Sequence, residues 1–256
     1  MELKRRKFQG VLNILSFNRH FYVIGLITLC LLLLGCSFFE LPDIWFWVII
    51  LAFSYGLLAP LLVSAYVYDF SGYYNFDWLK ECGLDKINLQ TIVNINAGFD
   101  ETSFILNKHF HWCDLKVYDF YNSENHTEPA IVRARKVSLV YPDTQQITTN
   151  QIPLKDNSAD AIFLLSAAHE IRSHKEKIQF LKECNRVCKP EGKVIMVEHL
   201  RDFPNSLAFS VGFTHFFSKN VWQNAFMESG FDSLDETKFT PFMSIFTSKP
   251  NKLQST

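Results

Sequence analysis

The sequence predicts an α/β domain of Rossmann-like type: a mostly parallel sheet with helices on both faces and an antiparallel hairpin at its C-terminal edge. A hairpin of two transmembrane helices is predicted to precede it. Three observations carry this. Two long uncharged apolar runs fill residues 21–39 and 44–68. From residue 91 onward, short apolar runs alternate with helical stretches, the order that builds a parallel sheet. The last two extended segments, 233–238 and 243–247, flank Thr240 and Pro241 and read as an antiparallel pair.

The apolar runs come first in the chain. A bilayer core of about 30 Å takes roughly 20 apolar residues in a helix, and both runs are that long. Only Glu40, Leu41, Pro42 and Asp43 separate them, so the two helices must turn back on one another. Trp45 and Trp47 open the second run, where interfacial rings are expected, and Pro60 marks a kink or packing contact within it. Lys4, Arg5, Arg6, Lys7 and Arg19 precede the first run, while the turn carries no Lys or Arg. The positive-inside rule then places the N-terminus and everything after Tyr68 in the cytoplasm, as a multi-pass protein of the inner (cytoplasmic) membrane. A cleaved signal peptide accounts for the first run but not the second. The resulting division is a basic N-terminus at 1–20, the hairpin at 21–68 and an aromatic interfacial linker at 69–90. The α/β domain follows at 91–248, and a tail at 249–256.

Within the domain, strands are expected at 91–96, 115–118, 146–150, 161–165 and 193–197, before the terminal pair. Helices are expected at 101–108, 126–136, 175–188 and 222–229, the last closed by Gly230. Pro129 fits only the first turn of its helix.

Composition narrows the function. The 256 residues suffice for one α/β domain and an extra module. A formal net charge of −1 argues against a basic nucleic-acid binder. The six cysteines form no Cys-x-x-Cys pair and read as free thiols of a reducing compartment. No Walker loop is present, and Ser166 lacks the Gly-x-Ser-x-Gly elbow of a hydrolase.

Open α/β sheets bind ligands beyond the carboxyl ends of their strands, at the switch point of the strand order. Those ends carry Asn96, Ala97 and Gly98; Asp119; Thr149 and Asn150; Ser166 to His169; and Glu198 with His199. Asp119 lies about 20 residues beyond the glycine turn, the spacing at which a carboxylate accepts hydrogen bonds from ribose hydroxyls.

The stretch Ile-Pro-Leu-Lys-Asp-Asn-Ser-Ala-Asp-Ala at 152–161 carries a specific likeness. So do Leu-Lys-Glu-Cys-Asn-Arg-Val-Cys-Lys-Pro-Glu-Gly-Lys-Val at 181–194 and Glu228-Ser229-Gly230-Phe231 before the last strands. Together they resemble class I S-adenosylmethionine-dependent methyltransferases of the ubiquinone/menaquinone-biosynthesis type (methyltransferase type 11), and with the hairpin a membrane-anchored bacterial form. The resemblance implies S-adenosyl-L-methionine as cofactor and a methyl acceptor as substrate. It maps cofactor contacts onto Asn96, Ala97, Gly98, Asp100, Asp119, Asn150 and Ser166. The chain departs from the family's acidic strand end and Gly-x-Gly-x-Gly loop: Asn94, Asn96 and Asp100 stand where an acid and two glycines are usual, and only Gly98 remains. Asn tolerates the left-handed backbone such a turn needs. Asp100 suits a cap on the next helix, beside Thr102 and Ser103, or a carboxylate near a sulfonium and ammonium.

Methyl transfer depends mostly on alignment of acceptor and sulfonium. A base is needed only when the acceptor carries a proton to remove. His169 and His199 end adjacent strands and are the candidate catalytic groups. His215 lies in an aromatic segment read as a lid. A metal site built from His169, Glu170 and His199 is conceivable, but neither metal-ligand spacing nor a helical His-x-x-x-His appears, so no metal is expected. An anchored domain samples membrane-surface molecules at high effective concentration, which favours a lipophilic small-molecule acceptor. Two alternatives stand beside this: a degenerate methyltransferase fold serving as a binding or scaffold module, and a nucleotide-dependent reductase. The reductase is disfavoured by the missing Tyr-x-x-x-Lys pair.

Overall fold

The structure, a computed structural model, describes residues 5–124 and 128–252. It begins with a short helix absent from the sequence reading, α1 (Gln9–Phe17), followed by α2 (Arg19–Phe38) and α3 (Asp43–Ala65). The Asp69 carboxylate receives the first free N–H groups of α1, from Gly10 at 2.7 Å and Val11 at 2.9 Å. This is the orphan-donor and dipole problem of a helix start solved by an acid distant in sequence. Gly10 is required there, because a Cβ would lie 2.4 Å from the Tyr68 Cβ.

The helices α2 and α3 are long and apolar enough to cross a membrane by length and composition. Each shows its apolar side chains outward: Phe21, Leu31 and Leu34 on one, Leu51, Leu58 and Leu62 on the other. They meet each other where Gly25 leaves room for Leu57. Such exposed faces are unlike a core hairpin of a soluble protein, whose apolar stripe would be covered. A single π-helical turn, Tyr66–Phe70, ends α3.

The sheet contains β1 (Thr91–Asn96), β2 (Asp114–Asp119), β3 (Gln145–Gln146), β4 (Ala159–Leu165), β5 (Cys188–His199), β6 (Asp235–Thr240) and β7 (Met243–Ser248). Its order is β3-β2-β1-β4-β5-β7-β6, with β7 antiparallel to both neighbours and the other pairs parallel. Strand order reverses between β1 and β4, which fixes the switch point. The helices α4 (Ser103–His109), α5 (Pro129–Val137), α6 (His174–Val187), α7 (Phe203–Phe209) and α8 (Lys219–Glu228) fill the connections. His126 and Thr127, expected in the α5 helix, lie outside the described residues. The third strand is far shorter than 146–150, because Thr148 and Gln151 bridge each other in a turn.

Period-two alternation divides the strands between two cores. Val93, Ile162, Leu164, Val194 and Met196 pack against Phe180, Leu181, Trp222 and Phe226. Ile92, Phe163, Ile195 and Val197 face the other way, against Leu106, Phe110 and the 73–89 segment. That second face corrects the reading of 69–90 as an interfacial linker. Tyr73, Phe76, Trp78, Leu79, Cys82 and Leu84 are all buried. The aromatic density belongs to a covering layer of the sheet, and Lys193 ties it down by donating to the Cys82 carbonyl at 2.5 Å.

Candidate active site

The loop expected to hold the cofactor follows β1. Asn96 accepts the Gly98 N–H at 3.0 Å, making an Asx turn that brings Gly98 to φ +91°, a conformation glycine adopts without a Cβ penalty. Asn94, at the usual acidic position, points its amide into the start of α4, donating to Ser103 Oγ at 2.8 Å and Thr102 Oγ1 at 3.0 Å. Asp100 accepts the Thr102 and Ser103 N–H groups, each at 2.9 Å, and so caps the same helix. Burial pushes its carboxyl above the ordinary range, with those hydrogen bonds opposing. Ala97 is buried beside them.

Asn94 Oδ1, Asn96 Nδ2 and Asp100 Oδ2 are buried without a hydrogen-bond partner, while Ser166 Oγ interacts with the buried Tyr73 hydroxyl. Ser166 follows β4, the strand paired with β1, and holds φ +52°, a strained setting for a residue with a Cβ. Buried polar groups normally find partners. An amide donor and a carboxylate oxygen left unsatisfied beside the switch point fit the carboxylate and ammonium of an amino-acid ligand such as the methionyl end of S-adenosylmethionine.

The other end of the cleft is covered. Asp119 Oδ1 accepts the Tyr121 N–H at 2.8 Å, and Oδ2 accepts from Arg135 Nη1 at 2.6 Å. Arg135 also stacks on the Tyr121 ring, 4.4 Å from its centroid. Ring and guanidinium both lie about where a Cβ on Gly98 would go, 2.9 and 3.0 Å away. The carboxylate placed by its spacing to bind ribose is therefore engaged within the chain. Asn150 is exposed, its side chain held by Thr148 Oγ1 at 2.5 Å. It lines an open cleft with Phe120, Tyr121, Ile147 and Gln179.

The two histidines at the strand ends differ in state. His169 Nδ1 lies 2.7 Å from Glu198 Oε2, and its Nε2 3.4 Å from Glu170 Oε1. Burial opposes a charge there, but the Glu198 and Glu170 carboxylates outweigh it and hold the imidazole up at about 10. For His199, burial dominates and lowers it to about 4. Its Nδ1 is 2.7 Å from the Phe242 carbonyl, which can only accept, so Nδ1 carries the proton. Nε2 then accepts the Tyr68 hydroxyl at 2.8 Å. His215 packs edge-on to His169 rather than serving only as part of an aromatic lid.

Several residues here escaped the sequence reading. Arg135 and Tyr121 reach the site from separate elements, and nothing in their local pattern marks them; Tyr68, expected only in an aromatic segment lining an apolar entrance, bonds His199 directly. Glu101, beside Asp100, is buried and binds Arg5, Gln9, Asn13 and Tyr74, which docks α1 over the loop after β1. Phe17 of α1 meets Phe99 edge-on.

Sheet order and strand-end geometry define a Rossmann-like class I methyltransferase fold. Residues 97–196 match the family described as a methyltransferase domain. Such a domain takes S-adenosylmethionine as its cofactor. Among solved structures, a protein from Pyrococcus horikoshii OT3 is similar at 15% identity and a TM-score of 0.50, over 70% of this chain and 90% of that one. Human N-acetylserotonin methyltransferase, solved in complex with SAM, is similar at 13% identity and a TM-score of 0.51, over 85% of this chain and 62% of its own. At such identities the likeness is one of fold. No curated protein sequence matches the chain.

Proposed function

We propose that this chain transfers a methyl group from S-adenosylmethionine to a lipophilic, membrane-associated small molecule. In this reading α2 and α3 span the inner membrane and hold the domain at its cytoplasmic face. One observation supports it above the others. The exposed apolar hairpin leads directly into the cleft, where Tyr68, just after α3, bonds His199 at the end of β5. A molecule dissolved in the bilayer has a short path to that wall.

When bound, the cofactor supplies an electrophilic methyl on a sulfonium. Asn96 and Asp100 would hold its amino-acid end. Asp119 would take the ribose once Arg135 moves aside. His199, neutral and bonded at both nitrogens, positions Tyr68 rather than acting as a free base. His169, held through both ring nitrogens by Glu198 and Glu170, would shape the acceptor side of the cleft rather than remove a proton.

The test is calorimetric titration of S-adenosylmethionine into the full chain in mild detergent, with Asp119→Ala as control. Labelled methyl transfer into a membrane lipid extract is then followed. Micromolar binding lost in Asp119→Ala, with label entering the organic phase, is the expected outcome. A folded protein that binds no cofactor would overturn this reading in favour of a scaffold, for which the internal Arg135–Asp119 pair speaks.

A further inference from the structure

The groups around His169 form a second constellation with its own chemistry. His169, Glu170 and His215 each offer one ligand atom within 4.8 Å of the other two. Glu170 Oε1 is 3.4 Å from His169 Nε2 and 4.0 Å from His215 Nε2. Each ring presents its opposite nitrogen to another carboxylate: His169 Nδ1 to Glu198 at 2.7 Å, His215 Nδ1 to Glu128 at 3.5 Å. Two imidazoles thus turn Nε2 toward one carboxylate oxygen while a glutamate stands behind each.

We infer that His169, Glu170 and His215 bind a divalent transition-metal ion. Two histidines and one carboxylate, with positions left for water or a substrate oxygen, form the donor set of catalytic zinc and of non-haem iron(II) sites. Zinc bonds of about 2.0–2.2 Å in a tetrahedron put ligand atoms roughly 3.4 Å apart. The Glu170–His169 separation already has that length, the Glu170–His215 separation of 4.0 Å would close by about 0.6 Å, and the two histidine nitrogens lie within 4.8 Å of one another. The glutamates supply the outer shell that fixes a metal-bound imidazole's tautomer and orientation.

The scaffold around the site is built for position. Arg172 Nη1 donates to the carbonyls of both histidines, His169 at 3.1 Å and His215 at 2.7 Å, and so ties the loop after β4 to the segment after α7. The ligand side chains are 13–27% exposed, enough to leave one side open. Charge also balances. Glu128, Glu170 and Glu198 are offset by Arg172 and a divalent cation, with both imidazoles neutral.

The test uses the full chain, purified with a non-histidine tag. Metal content is measured by mass spectrometry, and zinc and iron(II) are titrated separately in the absence of any methyl donor. About one ion per chain is expected. Affinity should fall at least tenfold in His215→Ala and in Glu170→Gln, and by about 10–100-fold in Glu198→Gln, which leaves all three ligands in place. His174→Ala, at an exposed histidine paired with exposed Glu228, should bind as the parent does. Thermal melts establish that each variant is folded, and His215→Asn serves if His215→Ala is not. Substoichiometric metal in the parent, or folded His215 and Glu170 variants that bind as tightly as the parent, overturns the assignment. Neither result bears on cofactor binding, which is measured separately.

Discussion

On the proposed function, Arg135→Ala should tighten binding of S-adenosylmethionine, because Arg135 occupies Asp119, the carboxylate proposed to take the ribose. In the ion pair the Arg135 side chain is 41% exposed and that of Asp119 9%. A pair with one partner so open contributes about 0.5–1 kcal/mol. The stack on Tyr121 at 4.4 Å adds about 0.5–1 kcal/mol. A ligand that takes Asp119 has to displace both. Removing them in advance should lower its Kd by about 1–2 kcal/mol, or roughly 5–30-fold at 1.4 kcal/mol per tenfold. Calorimetric titration of parent and variant in the same detergent measures this directly. Salt provides an internal check, since it screens the exposed pair: raising it should narrow the gap between parent and variant. Equal or weaker binding by Arg135→Ala refutes the reasoning and makes the guanidinium a contact of the cofactor rather than a cover over its site.

Two further predictions concern the fold. Trp78 is 4% exposed and donates its indole N–H to the Tyr73 carbonyl at 2.9 Å. Trp78→Ala should therefore cost about 3–5 kcal/mol in denaturant unfolding, and a cost below about 1 kcal/mol would show that 69–90 is not part of the core. His199 is held down at about 4 against an ordinary 6.5. Between those values the unfolded chain takes up a proton that the folded one refuses. Its contribution is complete above pH 6.5 and is lost as pH falls toward 4, at up to about 1.4 kcal/mol per pH unit. His199→Gln should flatten the acid limb of a Tm-against-pH curve relative to the parent, and identical limbs would mean that His199 is charged in the native state.

Much of the architecture was legible because it is periodic. The short apolar runs at 91–96 and 161–165, set between helical stretches, gave β1 and β4, and the amphipathic spacing of Ile178, Leu181, Cys184 and Val187 gave α6. The helix α1 was missed because its start is capped by Asp69, an acid on the far side of the apolar hairpin. The aromatic run after Tyr68 was assigned to a water–lipid boundary, since composition alone does not distinguish a boundary from the covering layer of a sheet. At the site, the strand ends were found because topology puts ligands there. Their partners were not: Glu198 serves His169 as well as standing next to His199, and Arg135 closes on Asp119 from another helix. Such pairings are made by the tertiary fold, and neither spacing nor residue type announces them.

The Tyr68–His199 bond has a practical consequence for anyone wishing to rebuild this protein. Tyr68 packs edge-on to both His199 and Tyr73, while Asp69 beside it holds α1. The N-terminal helices are thus not a leash that could be exchanged for another of equal length. A chimera joining β1–β7 to a foreign helical hairpin would lack one side of its own cleft. It would leave Glu101 and His199 facing solvent or mismatched neighbours, and the graft would have to extend through residue 90 to carry a complete interior with it.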